Sequence, residues 1–442
     1  MKEKCGLYGG IFPRIALEIR RGLMALQHRG QESAGLSIAT DNTIVTVKNS
    51  GLVREALPIS KIENIEGNLG IGHVRYSTFG GNNPINAQPI ELNYMNSKIS
   101  IAHNGNIENS QELRDEIEKK GHILLTNSDT EIFLHKLVEY FKSPPATWDP
   151  FEMAKIIFEV EGAYSLLFLF EDKIVAIRDP KGYRPLWVRK NDGRILFSSE
   201  DSAFPEGGER FEMEPGSVAI ATKDSFEYKR VVEKRPCQCV FEYIYFARSD
   251  SNIFGKNVYE IRERMGRKCA IENPVNADAI IPVMDSGLPA AIGFSTQSGI
   301  PIEPLLVRNP WIGRTFIKPS GRFEAVEEKL SIVKEVIEGK KIVIVDDSLV
   351  RGTTISKIVE IIRKAKPLEI HFRIASPPVK YECFWGIDIP SRDQLFATKE
   401  IEEVIKTLGI DSLSYLSIEG MCEVLGGCDK FCLYCFTGRR VQ

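Results

Sequence analysis

One stretch of this chain constrains the fold more than any other, because it joins an apolar run directly to two acids and a helix. Residues 342–345 read Ile-Val-Ile-Val, and such an uninterrupted β-branched run is typical of a parallel strand covered on both faces. Asp346 and Asp347 follow at once, and apolar residues recur at helical spacing after Thr354. The stretch therefore predicts a strand, a loop over residues 348–354 and a helix, as in an α/β domain with a parallel sheet.

This loop has the composition of a phosphate site. Small and hydroxylated residues at a helix N-terminus offer backbone N–H groups, hydroxyl groups and the positive end of the helix dipole to an anion. Two carboxylates would repel a phosphate lying directly on them, so they favour sugar hydroxyls or a divalent cation. A phosphorylated sugar carries both kinds of group. A Walker A loop is excluded, because no Gly-Lys-Ser/Thr follows a four-residue gap.

The strand, the two acids and the sequence Val-Arg-Gly-Thr-Thr at 350–354 resemble the phosphoribosyl pyrophosphate (PRPP) motif of the type I phosphoribosyltransferases. The resemblance implies that the loop holds the 5-phosphate and that the acids hold the ribose hydroxyls. It also implies a Mg²⁺ ion bound by Ser286, Asp346 and Asp347. The PRPP-binding residues implied in this way are Asp346, Asp347, Ser348, Arg351, Gly352, Thr353 and Thr354.

A second group of motifs begins at the N-terminus. Cys5-Gly6 is followed by polar segments at residues 27–35, 72–78, 102–107 and 126–131. In this order they resemble the glutaminase domain of the N-terminal-nucleophile (Ntn) amidotransferases. Together with the PRPP motif, they make the whole chain resemble the glutamine PRPP amidotransferases. The resemblance implies catalysis by Cys5, an oxyanion hole made by the Asn104 amide and the Gly105 N–H, and glutamine binding by Arg29, Arg75 and Asp129.

The chemistry of a cysteine nucleophile explains why Cys5 would have to be the first residue. No side-chain base stands beside it in the sequence. A free α-amino group has a pKa of about 7.7–8.0 and can take the proton of its own thiol. Residues 1–4 are therefore expected to form a propeptide that is removed before the enzyme is active.

The patterns divide the chain into two domains. Short strands punctuated by Gly and Pro precede Pro236, and the resemblance implies an αββα Ntn-hydrolase sandwich over residues 5–233. Strand and helix signals alternate afterwards, so residues 234–442 are expected to form a type I phosphoribosyltransferase parallel sheet with a C-terminal cysteine cluster. The aromatic run at 241–248 predicts a strand. Residues 308–317 are expected to lead into a pyrophosphate lid, in which Pro310 departs from the family pattern and Arg322 and Lys329 are candidates.

The chain contains nine cysteines, and in a protein of this length they indicate a metal or catalysis before disulfides. A Cys₄ set could hold zinc or a 4Fe-4S cluster. The family resemblance assigns Cys239, Cys383, Cys432 and Cys435 to 4Fe-4S, which leaves Cys237 and Cys428 as extra thiols that could substitute. The Cys-x₃-Cys-x₂-Cys spacing also resembles the radical S-adenosylmethionine motif, but only seven residues follow Cys435.

Three histidines lie within the N-terminal motifs. Their Gly or apolar neighbours favour structural hydrogen bonds over a metal site for His28, His73 and His103.

Composition excludes several classes of function. The 442 residues are 43% hydrophobic with a net charge of −3, which gives no electrostatic reason to expect nucleic acid or membrane partners. No window of eighteen apolar residues and no signal-peptide pattern occurs, so a cytoplasmic protein is expected.

The leading hypothesis is an enzyme that makes 5-phosphoribosylamine from PRPP and glutamine, the first committed step of purine synthesis. Purine nucleotide feedback inhibitors and a homotetramer are the further partners that the resemblance implies. One alternative is a non-catalytic regulatory paralogue that binds PRPP or nucleotides. Another is an amidotransferase with a different acceptor, which the Val-Arg-Gly-Thr-Thr loop disfavours.

Overall fold

The computed structural model describes residues 5–41, 43–76, 84–308, 330–387 and 389–440. The expected propeptide and the lid candidates Pro310, Arg322 and Lys329 lie outside the described residues. Among the helices described, none combines the length and the apolar character needed to cross a membrane.

The first half of the chain is built from antiparallel strands and six helices. The strands are β1 (Gly6–Ile11), β2 (Ser33–Ala39), β3 (Ile44–Ser50), β4 (Leu69–Arg75), β5 (Ile90–Tyr94), β6 (Ser97–Ile107), β7 (Gly162–Leu169), β8 (Lys173–Arg178), β9 (Trp187–Asn191), β10 (Arg194–Ser198), β11 (Glu209–Glu212), β12 (Ser217–Thr222) and β13 (Phe226–Arg230). The helices in the described residues are α1 (Ile15–Ala25), α2 (Val53–Ala56), α3 (Ile59–Ile62), α4 (Ser110–Lys119), α5 (Thr130–Phe141) and α6 (Pro150–Phe158).

These strands form two sheets that pack face to face. One has the order β11-β9-β10-β1-β4-β2-β3 and the other β13-β12-β8-β7-β6-β5. One hydrophobic cluster, with Leu7 and Leu167, fills the space between the sheets. A second cluster joins α1 to the outer face of the first sheet, and a third joins α5 and α6 to the outer face of the second. The four layers are helix, sheet, sheet and helix, which confirms the predicted αββα sandwich.

The second half alternates strands and helices. The strands are β14 (Gln238–Cys239), β15 (Asn252–Ile253), β16 (Lys256–Asn257), β17 (Ala279–Pro282), β18 (Leu306–Arg308), β19 (Leu330–Ile332), β20 (Lys341–Asp346), β21 (Glu369–Ile374), β22 (Ser412–Tyr415) and β23 (Phe431–Cys432). The helices in the described residues are α7 (Val258–Glu272), α8 (Leu288–Ser298), α9 (Lys334–Ile337), α10 (Thr353–Arg363), α11 (Ile401–Leu408), α12 (Ile418–Leu425) and α13 (Tyr434–Thr437).

The central sheet of this half has the order β17-β20-β21-β22, and all its pairs are parallel. Its β20 strand is buried on both faces. Val343 and Val345 belong to the cluster that includes residues of α7 and α8, whereas Ile342 and Ile344 belong to the cluster that includes residues of α10 and α11. Burial on both faces explains why this strand reads as a continuous apolar run, and the predicted parallel sheet is confirmed.

Two expectations were wrong. The aromatic run at 241–248 is not a strand, because Glu242–Phe246 forms a π-helical turn whose side chains are largely buried. The guanidinium of Arg262 accounts for this turn, since it donates hydrogen bonds to the carbonyl oxygens of Tyr243 and Ala247. Cys428, expected to be a spare thiol, forms a disulfide with Cys422. The turn between α12 and β23 brings these two residues together, with Cα atoms 5.1 Å apart.

Candidate active sites

Cys5 lies directly before β1, which is an interior strand of the first sheet between β10 and β4. The carbonyl oxygen of Cys5 accepts a hydrogen bond from Arg29 Nε at 2.9 Å, and its Sγ lies 4.0 Å from the carbonyl oxygen of Tyr76. β1 pairs with β4 through Gly6 and Val74, so the ends that carry Cys5 and Arg75 lie side by side. The fold therefore brings the predicted nucleophile next to one predicted glutamine ligand.

The predicted oxyanion residues lie on β6, in the second sheet. Asn104 is 3% exposed, and its Nδ2 donates to Ser199 Oγ at 3.4 Å. The same hydroxyl oxygen accepts a 3.0 Å hydrogen bond from the backbone N–H of Leu7, two residues after Cys5. Ser199 thus links the cysteine strand to the Asn104 amide across the sandwich. The sequence analysis assigned no functional role to Ser199.

Gly105 adopts a conformation that only glycine accepts readily, with φ of +149°. A Cβ atom at this position would run into the carbonyl oxygen of Ala163 on the neighbouring strand β7. A backbone group held in this way is rigid, and rigid N–H donors suit an oxyanion hole.

Asp129 lies directly before α5, and its carboxylate contacts strand β6. Its Oδ2 accepts a 2.9 Å hydrogen bond from the backbone N–H of Ile107, two residues after Gly105. Its Oδ1 lies 3.8 Å from His103 Nδ1. Burial lowers the pKa of His103, so this imidazole is neutral at pH 7. Asp129, the predicted ligand of the substrate ammonium, is therefore hydrogen-bonded to the strand that carries the predicted oxyanion donors Asn104 and Gly105.

Arg29 has a different environment from the one expected of a glutamine ligand. The side chain is 1% exposed, and all three guanidinium nitrogens have protein partners. Nε donates to the Cys5 carbonyl, Nη1 to Glu200 at 2.7 Å, and Nη2 to Glu242 at 2.8 Å. Glutamine binding by Arg29 stays a prediction, whereas these contacts make it a residue that positions Cys5.

The partners of Arg29 form a buried charge network that crosses the predicted domain boundary. Glu242, from the second half, also accepts a 3.2 Å hydrogen bond from Arg184 Nη1. Burial by itself would raise the pKa of Glu242, but the charges of Arg29 and Arg184 outweigh it and hold the pKa below its ordinary value. The pKa of Glu200 is lowered further still against burial, by His28 and Arg29. Both acids are therefore ionised although neither is exposed.

The sequence analysis predicted no functional role for Arg184, Glu200 and Glu242. A charged residue in an otherwise apolar or aromatic run was the one available signal, as at Glu242 between Phe241 and Tyr243. Buried acids need partners, but the sequence does not reveal which of the many arginines provides them.

The predicted PRPP loop joins β20 to α10 as expected. Asp346 and Asp347 are 8% and 5% exposed at the carboxyl end of the strand. Gly352 takes a left-handed conformation with φ of 72° immediately before the helix, where the ring of Phe396 packs against it. The Phe396 N–H also donates to the Val350 carbonyl at 2.8 Å, so residues after β21 support this loop. The carboxyl ends of parallel strands are the usual ligand sites of such sheets.

The chemistry of the two aspartates fits a divalent cation. Burial raises the pKa of Asp346 well above its ordinary value, and the adjacent charge of Asp347 raises it further. A bound cation would relieve both costs, and carboxylate oxygens are the ligands that Mg²⁺ takes. The turn that contains Ser286 packs on the end of β20, because a Cβ on Gly287 would lie 3.2 Å from Asp346 Cα. Gly287, the residue after Ser286, thus lies against the end of β20, and a metal role for Ser286 stays a prediction.

The four predicted cluster cysteines come from three separate segments. Cys239 and Cys432 are paired across the short parallel ladder of β14 and β23. Burial raises the pKa of Cys435 well above its ordinary value, and the neighbouring thiols of Cys383 and Cys239 raise it further. Burial likewise raises the pKa of Cys239 to about 12, although Arg184 opposes the shift. The fold therefore gathers all four thiols in one buried region.

The four thiols are the candidate ligands of a metal group. In the part of the chain that the structure describes, no group of three His, Cys, Asp or Glu side chains stands close enough to hold one metal ion. A four-iron cluster is larger than one ion and is held by thiolates that stand further apart. The donor set of four thiols beside the Arg184 cation suits such a cluster.

The three motif histidines make the structural hydrogen bonds that were predicted for them. His28 Nε2 lies 2.7 Å from Glu200, His73 Nε2 lies 2.9 Å from the His103 carbonyl oxygen, and His103 Nδ1 lies 3.2 Å from Thr130.

Comparisons with known proteins identify both halves. Residues 73–206 match the family model of the glutamine amidotransferase domain, and residues 259–375 match that of the phosphoribosyl transferase domain. A glutaminase module and a phosphoribosyl-binding module on one chain define a glutamine-dependent transferase.

Relatives over the full length narrow the class to one family. The chain is 48% identical to the amidophosphoribosyltransferase of Pyrococcus horikoshii, over 99% of this chain and 96% of the relative. It is 43% identical to that of Methanocaldococcus jannaschii, over 98% of this chain and 97% of the relative. The chain belongs to the amidophosphoribosyltransferase family, and it is therefore an enzyme.

Solved structures agree. The glutamine PRPP amidotransferase from B. subtilis, complexed with ADP and GMP, superposes with a TM-score of 0.89 at 36% identity, covering 98% of this chain and 97% of that one. A structure described as the allosteric regulatory enzyme of purine biosynthesis gives 0.90 at 36% identity, covering 98% and 96%. Neither these relatives nor the family models favour a non-catalytic paralogue.

Proposed function

We propose that this enzyme hydrolyses glutamine at Cys5 and uses the ammonia to convert PRPP into 5-phosphoribosylamine and pyrophosphate. The observation that carries the proposal is a buried charge network that joins the candidate glutaminase site to the half of the chain that contains the candidate PRPP site. Arg29 touches the Cys5 carbonyl on one side and Glu242 of the second half on the other. We further propose that the domains are residues 5–233 and 234–442, with residues 1–4 as a propeptide.

The glutaminase step follows from the groups around Cys5. The free α-amino group takes the thiol proton, and the sulfur attacks the glutamine amide carbon. The amide oxygen becomes negative, and the Asn104 amide and the Gly105 N–H stabilise it. The amide nitrogen then takes a proton and leaves as ammonia, and water releases glutamate from the thioester. Arg75 binds the substrate carboxylate and Asp129 its ammonium.

The second step takes place at the end of β20. The ammonia nitrogen bonds to the ribose C1 carbon, the bond from C1 to pyrophosphate breaks with its electrons going to pyrophosphate, and the nitrogen loses a proton. The backbone of residues 351–354 holds the 5-phosphate at the start of α10, and the two aspartates hold the ribose hydroxyls. Asp346, Asp347 and Ser286 would hold Mg²⁺, which when bound would supply positive charge to the departing pyrophosphate. Water must be excluded, because it would compete with ammonia for C1.

The four gathered thiols support a 4Fe-4S cluster held by Cys239, Cys383, Cys432 and Cys435. Such a cluster would join β14, β23 and the segment after β21, and so would tie both ends and the middle of the second half together. Cys237 lies beside Cys432 as an additional thiol, and its side chain hydrogen-bonds with that of Cys432. Purine nucleotides as regulators complete the proposal, on the strength of the ADP and GMP in the B. subtilis relative. A homotetrameric assembly stays a prediction from the family resemblance.

The PRPP site is tested by replacing Asp347 with asparagine. Glutamine-driven and ammonia-driven synthesis should fall together, by about 10²-fold or more, because the change removes several kcal/mol of interaction with the ribose and the metal. Initial rates at varied PRPP and Mg²⁺ measure the effect. The exposed Asp393 offers a matched control in the same half, and Asp393→Asn should leave both rates unchanged. A variant impaired only with glutamine would contradict the assignment.

Processing and the cluster are tested by mass spectrometry of the purified enzyme. The denatured protein should lack residues 1–4, and the native protein prepared without oxygen should carry the extra mass of four irons and four sulfides. Retention of Met1 would contradict the proposed base, and a mass increase of one zinc would replace the cluster proposal.

A further inference from the structure

Residues 383–387 run from the cysteine region to the strand that carries the oxyanion residues. The Trp385 N–H donates to Cys383 Sγ at 3.4 Å, which fixes the segment at its cysteine end. The Trp385 side chain is 6% exposed and stacks on Tyr183 with ring centroids 5.3 Å apart. Its Nε1 donates to Glu108 Oε2 at 3.2 Å. The segment is therefore held firmly on both sides.

The backbone of this segment is hydrogen-bonded to the glutaminase half. Asn106 Nδ2 donates to the Phe384 carbonyl oxygen at 2.9 Å, and Asn106 directly follows Gly105 on β6. Arg184 Nη2 donates to the Trp385 carbonyl oxygen at 2.9 Å. These bonds join two carbonyl groups of the segment to the same wall of the glutaminase sandwich.

Gly386 makes the closest approach. A Cβ atom on Gly386 would lie 3.2 Å from the carbonyl carbon of Gly105 and 3.3 Å from Asn106 Cβ, both tighter than ordinary contacts. Gly386 also has φ of +88°, which favours glycine. Gly105 is also limited by the Ala163 carbonyl of β7. The Gly105 peptide is thus held between two backbones, one of which comes from the second half of the chain.

We propose that residues 383–387 are a positioning element of the glutaminase oxyanion hole. This inference rests on the proposed role of Gly105 as an oxyanion donor. Donors stabilise an oxyanion only within about 2.7–3.1 Å, so a shift of a few tenths of an ångström in the Gly105 peptide weakens transition-state stabilisation. Without this segment the Gly105 peptide would lose one of these two backbone contacts. The hole is thereby completed by a part of the chain that does not belong to the glutaminase fold.

The test is Gly386→Ala. The added methyl group should displace Gly105 and lower kcat for glutamine by about tenfold, less than the roughly 10²–10³-fold cost of removing an oxyanion donor. KM for glutamine and the rate of ammonia-driven synthesis should stay unchanged, because Arg75, Asp129 and the PRPP site are not touched. An aldehyde analogue of glutamine, whose adduct with the Cys5 thiol places an oxygen in the hole, should bind about tenfold more weakly. Glutamate, which forms no adduct, should inhibit as before.

Gly409→Ala is the matched control. Gly409 also has a positive φ, of 65°, but a Cβ there would meet nothing within 4 Å. The control therefore also places an alanine at a positive φ but without the contact, and its kcat for glutamine should stay at the original value. Equal losses in both variants would overturn the proposal, as would a fall in ammonia-driven synthesis that matches the fall with glutamine.

A second variant covers the case in which Gly386→Ala does not fold. Asn106→Ala removes the hydrogen bond to Phe384 and leaves Gly386 intact, so it should also lower kcat and the affinity for the aldehyde while sparing glutamate. An unchanged affinity of Asn106→Ala for the aldehyde analogue would contradict the proposal. Loss of glutamine use in Cys5→Ala supports the proposed function independently, so a normal Gly386→Ala beside an inactive Cys5→Ala would refute this inference alone.

Discussion

Replacing Cys5 with alanine is expected to abolish synthesis driven by glutamine while leaving synthesis driven by ammonia near its original rate. The change removes the only sulfur that the proposed mechanism uses, and losses of about 10⁴-fold or more are typical for a covalent nucleophile. The PRPP loop lies in the other half of the chain and keeps all its contacts. Parallel assays with glutamine and with ammonium chloride at alkaline pH measure the two activities separately.

Two further variants make this result specific. The first variant carries Cys5→Ala and also lacks residues 2–4, so that Met1 directly precedes position 5. It separates loss of the thiol from loss of processing. Cys269→Ala is the control, since Cys269 is fully buried in the second half, where its Sγ donates to the Ile374 carbonyl oxygen. Its ratio of glutamine to ammonia turnover should be unchanged. Loss of both activities in Cys5→Ala would refute the division of the reaction between two sites.

Removing Glu242 should have the largest effect on stability. Glu242→Ala leaves Arg29 and Arg184 buried without this shared carboxylate, and breaking a buried ion pair in this way costs about 3–5 kcal/mol. Arg29 would also lose its anchor beside the Cys5 carbonyl, so glutamine turnover should fall along with stability. Urea unfolding, followed by fluorescence with the m-value checked, measures the free energy of unfolding.

Glu214→Ala is the control for this prediction. Glu214 is 46% exposed and pairs with Lys234 and Arg230 at the surface, where such pairs contribute about 0–1 kcal/mol. A loss below about 1 kcal/mol in Glu242→Ala would show that the network does not hold the halves together.

The same carboxylates set the acid limit of stability. The pKa values of Glu200 and Glu242 are lowered in the folded protein, so their stabilisation is complete above the ordinary value of 4.5 and is lost as the pH falls through the folded values. Glu242→Ala should therefore depend less steeply on pH in this acid range than the original protein.

The sequence predicts most reliably where a local pattern has a single structural solution. β20 is an example, because four consecutive β-branched residues fit a strand buried on both faces and the acids must then lie at its end. The αββα sandwich was predicted in a different way, from the family resemblance that the glutaminase motifs carry, and each of those motifs is contiguous in the chain.

Contacts between distant residues were not predictable in the same way. Arg29 and Glu242 are 213 positions apart, and nothing local in either segment indicates that they meet. The aromatic run at 241–248 matches a strand by residue type. The hydrogen bonds that Arg262 donates to the carbonyl oxygens of Tyr243 and Ala247 favour a helical turn instead. The Cys422 and Cys428 pair depends on a turn at Gly426 and Gly427, whose positive φ values bring the two thiols together.

The charge network also bears on how such a two-domain enzyme can change during evolution. Arg29, Arg184 and Glu200 come from the first half, whereas Glu242 comes from beyond the boundary proposed at residue 233. If the glutaminase domain were joined at that boundary to the second half of another protein, it would bring two buried cations and one buried anion with it. The new second half would not have evolved to neutralise these charges. The heritable unit is therefore larger than the glutaminase fold, and recombination between relatives should succeed only where Glu242 travels with the cations.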